Sequence, residues 1–108
     1  MIDILAPYSH DDKKVVEHRV KTVCDYSAKL MKDGLSCISP ITVGTGILTH
    51  ADLPTDFEFW KKLSLDLLKV SDEVHVLMLD GWEESVGVKA EIEYAMAFGK
   101  TIKYIDII

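Results

Sequence analysis

The chain has 108 residues and a formal charge of −6, with 48% hydrophobic and 28% charged residues. That length makes a single domain, residues 1–108, able to bury about 65% of its unfolded surface, with the composition of an ordinary globular protein. The acidic balance excludes non-specific binding to a nucleic-acid polymer or an anionic membrane; a small anionic ligand stays open, because local N–H groups and dipoles act at short range.

Ile2 to Ala6 is a short apolar run closed by Pro7 and reads as a buried first strand. Asp11 and Asp12 are placed to cap a long helix with Val16, Val20, Val23, Ser27, Leu30 and Met31 at period 3.6, which the Asp33-Gly34 pair ends. Leu35 to Ser39 is the second strand, stopped by Pro40. The stretch from Ile41 to Thr55 is rich in Thr, Gly, Asp and Pro and shows no strong period, so a long and functional or disordered loop is expected. Asp56 opens a second helix with Phe57, Trp60, Leu63, Ser64, Leu67, Leu68 and Ser71 on one side, and Lys62, Asp66 and Lys69 on the other. Glu73 to Leu79 is the third strand. A third helix runs from Val86 to Phe98, with Val88, Ile92, Ala95 and Gly99 inward, and Thr101 to Ile105 is the fourth strand.

Strands alternating with helices imply an α/β fold: a small doubly wound, flavodoxin- or Rossmann-like parallel sheet of four to five strands. The order is expected near 2-1-3-4, with helices on both faces. Its switch point lies between strands one and three, so a ligand is expected where the Pro7-Tyr8-Ser9 loop meets the Asp80-to-Gly87 loop. Cys24 and Cys37 have no metal or redox spacing and read as reduced, small core residues. The four histidines show no metal-ligand spacing; His75 reads as a hydrogen-bonded sheet residue and His10 as an exposed loop residue. No signal-peptide core follows Met1, and no apolar run approaches the roughly 20 residues that span a bilayer. A cytoplasmic protein with no membrane partner is expected.

The most informative stretch is Ser85-Val86-Gly87-Val88-Lys89-Ala90-Glu91. It follows a strand and the Asp80-Gly81-Trp82 turn, and it places a carboxylate in the opening turns of a helix. Free N–H groups and the dipole at such a start favour an anion. The Ser85 hydroxyl and Gly87 suit close approach of a phosphate, although Ser85 is equally suited to cap the helix. Glu91 lies three residues after Val88 and four before Ala95, bordering the apolar stripe. Most helical glutamates are solvated. One on the inner edge, kept ionised by the helix start, suits attack on a sugar anomeric carbon. Trp82 either stacks on a base or anchors its loop.

The pattern Gly81-Trp82-Glu83-Glu84-Ser85-Val86-Gly87, then Glu91, then Gly99-Lys100, resembles the nucleoside 2-deoxyribosyltransferase-like superfamily. So does Leu5-Ala6-Pro7-Tyr8-Ser9. The resemblance covers nearly the whole chain and is closest to small members with the Gly-Trp-Glu-x-Ser signature, near the nucleotide N-glycosidases. It implies cleavage of the N-glycosidic bond of a nucleoside or nucleotide, with hydrolysis or transfer to another base, and needs no cofactor. Glu91 matches the family glutamate that forms a glycosyl intermediate. Ser85 matches the serine that binds a 5′-phosphate in the nucleotide hydrolases, so a nucleoside 5′-monophosphate is the implied substrate. Tyr8 matches a first-loop tyrosine that contacts the nucleophile or sugar, or is simply a turn residue. Ser9, Asp80 and Trp82 fall in the same two loops.

One departure stands out. The family acid on the second helix, which protonates the leaving base, maps onto Ser64. Asp66 is about 200° around the helix from that position and sits at ion-pair spacing between Lys62 and Lys69. Asp80, a water on Ser64, or no group at all is left to supply the proton. Family pockets completed at subunit contacts imply a homodimer or higher homo-oligomer. The same departure keeps an alternative open, a non-catalytic nucleotide-binding or sensing module on the same fold.

Overall fold

In the computed structural model, which describes residues 1–107, four parallel strands carry the architecture: β1 (Ile2–Leu5), β2 (Cys37–Ile38), β3 (Glu73–Leu77) and β4 (Thr101–Ile105). They form one sheet in the order β2-β1-β3-β4, the expected order 2-1-3-4. Ile2 to Leu5 pair in register with Glu73 to Val76, and Glu73 to Leu77 with Thr101 to Ile105. Side chains alternate across a strand, so the sheet has two apolar faces. On one, Ile2, Ile4 and Leu77 meet Val23 and Leu30 of α1 (Lys13–Lys32). On the other, Leu5, Val74 and Val76 meet Leu68 of α3 (Phe57–Val70) together with Val88 and Ala95 of α4 (Val86–Ala97). No helix among the described residues is long and apolar enough to cross a membrane.

Local chemistry sets the element ends. The Asp12 carboxylate accepts the Lys14 N–H at 2.9 Å and caps α1. At the far end Gly34 takes φ +83°, and the Leu35 N–H reaches back to the Leu30 carbonyl at 3.0 Å. That left-handed stop is one Gly adopts without steric cost.

The stretch from Ile41 to Thr55 is not one long loop. Pro40–Leu48 is a helix, α2. Ser39 caps it, its hydroxyl accepting the Ile41 N–H at 3.2 Å, and Pro40 sits in the first turn, where a missing N–H does no harm. Gly44, Gly46 and two threonines give this helix little intrinsic propensity. Packing supplies the rest: Gly44 is buried and faces the Trp60 ring, with room for a Cβ in ordinary contact at 3.6 Å. The second strand is accordingly shorter than expected, with Ser39 spent on the cap.

Three burial expectations are corrected. Cys24 is exposed rather than core, lying one residue past the buried Val23 on the outer side of α1, while Cys37 is half-buried. Met31 is 58% exposed, because the inward face of α1 runs through Arg19, Val23, Tyr26 and Leu30. Gly99 is exposed with φ +69° and ends α4 instead of facing inward; Glu91 takes the inward place between Val88 and Ala95. His75 is buried in β3 as expected, its Nδ1 2.6 Å from the Tyr26 hydroxyl and its Nε2 2.8 Å from Glu73.

Candidate functional site

A cleft of about 710 Å³ opens beyond the carboxyl ends of β1 and β3, where the chain leaves the sheet in opposite directions. Its volume is that of a small-molecule site. Tyr8, Ser9 and His10 enter from the loop after β1, Ser85, Gly87 and Glu91 from the start of α4, and Ser64 from α3. Ile41, Leu48, Phe57 and Trp60 make an apolar wall from α2 and the first turns of α3.

Glu91 is 7% exposed. Burial, reinforced by the charge of Asp3, pushes its pKa up to about 8, and the neighbouring Ser64 hydroxyl opposes that rise only in part. The carboxyl is therefore mostly protonated at pH 7, not held ionised by the helix start. The reason is distance and prior engagement. The first-turn N–H of Val88 is taken at 3.2 Å by Ser85 Oγ, and Glu91 lies beyond the first turn of the helix that Ser85 caps, where the dipole has faded.

Ser85 does cap α4, with extended φ and ψ of −69° and 120°, and it also borders the cleft. The N–H groups of Val86 and Gly87 lie in the first turn, where a helix has no carbonyl to offer them. Gly87 makes room for a side chain rather than leaving open space: a Cβ there would stand 3.2 Å from Phe57 Cδ1.

Two expected residues lie elsewhere. Asp80 is exposed and borders a shallow depression beside His18, Thr22 and Tyr26 of α1, not the cleft. Trp82 packs under the loop with the α3–α4 core, its ring 5.8 Å from that of Tyr104. Its anchoring role is the one realised. A tight turn, with the Leu79 N–H 2.8 Å from the Leu77 carbonyl, and left-handed Gly81 at φ +86° redirect the chain and carry both side chains away. Asp66 is on the solvated side of α3, paired with Lys62 at 2.8 Å, which leaves Ser64 as the α3 residue facing the site.

Two residues had been passed over. Arg19, the one arginine of the chain, is buried in the cleft wall. Its Nη1 donates to the Ser9 carbonyl and its Nη2 to the Asp80 carbonyl, both at 2.9 Å, stapling together the two loops of the switch point. Glycine suits position 81 chiefly by its left-handed φ of +86°, and a Cβ there would also displace Nη2, which would stand 2.9 Å away. An arginine among lysines on an otherwise apolar helical face was the available signal. Asp3 is wholly enclosed, and burial raises its pKa to about 7. A charged residue inside the first strand of a parallel sheet is itself an anomaly legible in sequence.

Among the described residues no three His, Cys, Asp or Glu side chains converge closely enough to hold a metal ion. The arrangement brings a buried carboxyl, hydroxyls, a guanidinium and an unfilled helix start to one apolar-walled cleft, a set suited to an anionic ligand with a planar apolar part. No curated protein matches the chain. The family model described as a domain of unknown function (DUF1937) matches residues 2–106, and the chain belongs to that family.

Proposed function

We propose that the protein cleaves the N-glycosidic bond of a nucleoside 5′-monophosphate, with Glu91 as the nucleophile. The observation that carries the reading is the Glu91 carboxyl, buried yet bordering the cleft beside Ser64. The helix start at Ser85 and the spare N–H groups of Arg19 suit the phosphate. The wall of Ile41, Leu48, Phe57 and Trp60 suits the base, and Tyr8 borders the same cleft as Glu91 and would orient the sugar.

Ionised Glu91 attacks C1′, and the C1′–N bond breaks with its electron pair leaving on the base, which takes a proton from water. A second water, or an acceptor base, then attacks C1′ and gives its proton to the hydroxide left by the first water; the ester to Glu91 breaks, the sugar leaves and the carboxylate is restored. The resemblance of Gly81–Gly87 and Glu91 to the deoxyribosyltransferase-like enzymes supports the same scheme. Incubation with a panel of nucleoside monophosphates should release free base, and Glu91→Gln should lower the rate by about 10³-fold or more. Unchanged turnover in that variant refutes the mechanism.

A second reading is a nucleotide-binding module without turnover. Ser64 in place of an acid, and the protonated state of Glu91, favour it. Nucleotide-induced thermal stabilisation with no free base after long incubation would select this reading over the first.

A further inference from the structure

Asp3 lies second in β1, between Ile38 of β2 and Val74 of β3. Ile2 and Ile4 point toward α1 and Leu5 toward α3 and α4, so alternation turns Asp3 to the face that carries Ser64 and Glu91. Its side chain has no exposure, and neither carboxyl oxygen has a hydrogen-bond partner among the described residues. An unpartnered carboxyl in such a place costs several kcal/mol. A hydrophobic residue would fit the strand better, so its presence asks for a functional reason.

We propose that Asp3 is a positioning residue of the Glu91 site: a proton store beneath the cleft floor that holds the Asp3–Glu91 pair at a single negative charge. The proposal rests on the reading of Glu91 as the reacting carboxyl. Two carboxyls in one poorly solvated region resist ionising together, so the pair carries one charge between its two titration steps. Positive charge developing at C1′ draws that charge to Glu91, and the proton resides on Asp3 rather than leaving for bulk water. The Ser64 hydroxyl favours the charged form of Glu91. The pair thereby keeps at the site the carboxyl that α3 lacks. Other ionisable groups border the cleft: Tyr8 and His10 from the loop after β1, Arg19 from α1, Asp56 and Glu58 from the start of α3, and Glu84 from the turn before α4. Asp3 is the charged group whose field acts on Glu91.

The test is a titration of the intact, ligand-free chain carrying 13C-labelled Asp and Glu side-chain carboxyls, with Glu91 assigned by its loss in Glu91→Gln. Two coupled steps, both above the ordinary carboxylate range, are expected. Asp3→Asn should lower the Glu91 midpoint by about one pH unit or more. A Glu91 midpoint unmoved in Asp3→Asn overturns the proposal. Should Asp3→Asn fail to fold, Asp3→Val, an uncharged residue that suits the strand, carries the same test: a Glu91 midpoint unmoved in that variant overturns the pairing equally. With nucleotide, the acid limb of kcat/KM must shift in Asp3→Asn by the same amount; a uniform loss of rate with an unmoved limb marks a merely structural residue. The titration needs no turnover. Absence of cleavage therefore strikes the proposed function alone, and absence of coupling strikes this inference alone.

Discussion

At the scale of single residues the site turns on one carboxyl whose ionisation is resisted. Burial and Asp3 raise Glu91 to about 8, while a nucleophile must be ionised to attack. The proposed activity should therefore climb with pH and level off above about pH 8, and a kcat/KM profile already flat from about pH 5 would contradict that role. Arg19 works by geometry more than by charge. A lysine cannot span the Ser9 and Asp80 carbonyls that the guanidinium fork reaches together at 2.9 Å each. Arg19→Lys is expected to lose about 1–3 kcal/mol in urea unfolding, and wild-type stability in that variant would show that the loops hold without the staple. Glu91 was legible because its spacing from Val88 and Ala95 bordered the apolar stripe. Asp3 was overlooked because four apolar neighbours made its run look uniformly hydrophobic, and Arg19 because it fell among the charges of a long helix.

At the scale of elements, α4 serves packing and, in the proposed function, phosphate binding as well, and Ser85 is where the two separate. Aspartate caps a helix as well as serine and suits the positive end of the dipole. Ser85→Asp should keep the melting temperature within a degree or two of wild type while raising KM for a monophosphate about tenfold or more through repulsion. An unaltered KM would remove Ser85 from the phosphate site. The helix α2 escaped sequence analysis for a definite reason. Its glycines and threonines carry no helical period, and Trp60, the ring its buried Gly44 faces, lies 16 residues further along the chain. Part of the apolar wall of the cleft went unseen with it.

At the scale of the whole molecule, the buried acids make stability depend on pH with a definite sign. Asp3 and Glu91 have folded-state pKa values raised to about 7 and about 8 from 3.8 and 4.5, so between those limits the folded state binds more protons than the unfolded chain. Stability is then greatest near the lower limit and falls as pH rises toward 8, by on the order of a few kcal/mol. The lowered, solvent-facing Asp66, Asp72 and Glu73 act oppositely, losing their small contribution only as pH drops below the ordinary carboxylate range. The melting temperature should decline from about pH 5 to pH 8, and Glu91→Gln should flatten that decline. A melting temperature that rises over this interval would show that Glu91 is ionised in the folded protein.

Periodicity and punctuation, which are local, were enough to determine the four strands, the long helices, the parallel order and the end of the sheet at which a cleft must open. Apolar runs demand burial, and chain-order alternation leaves few ways to achieve it. Local pattern also brought Tyr8, Ser9, Ser64, Ser85, Gly87 and Glu91 to one place. Tertiary structure alone decided which side chains Gly81 turned away, that a weak stretch became α2, that Arg19 tied the loops, and that Asp3 lay behind Glu91. Each of those outcomes depends on groups distant in sequence meeting where water is excluded, and their energies come into being only when the chain has closed around them.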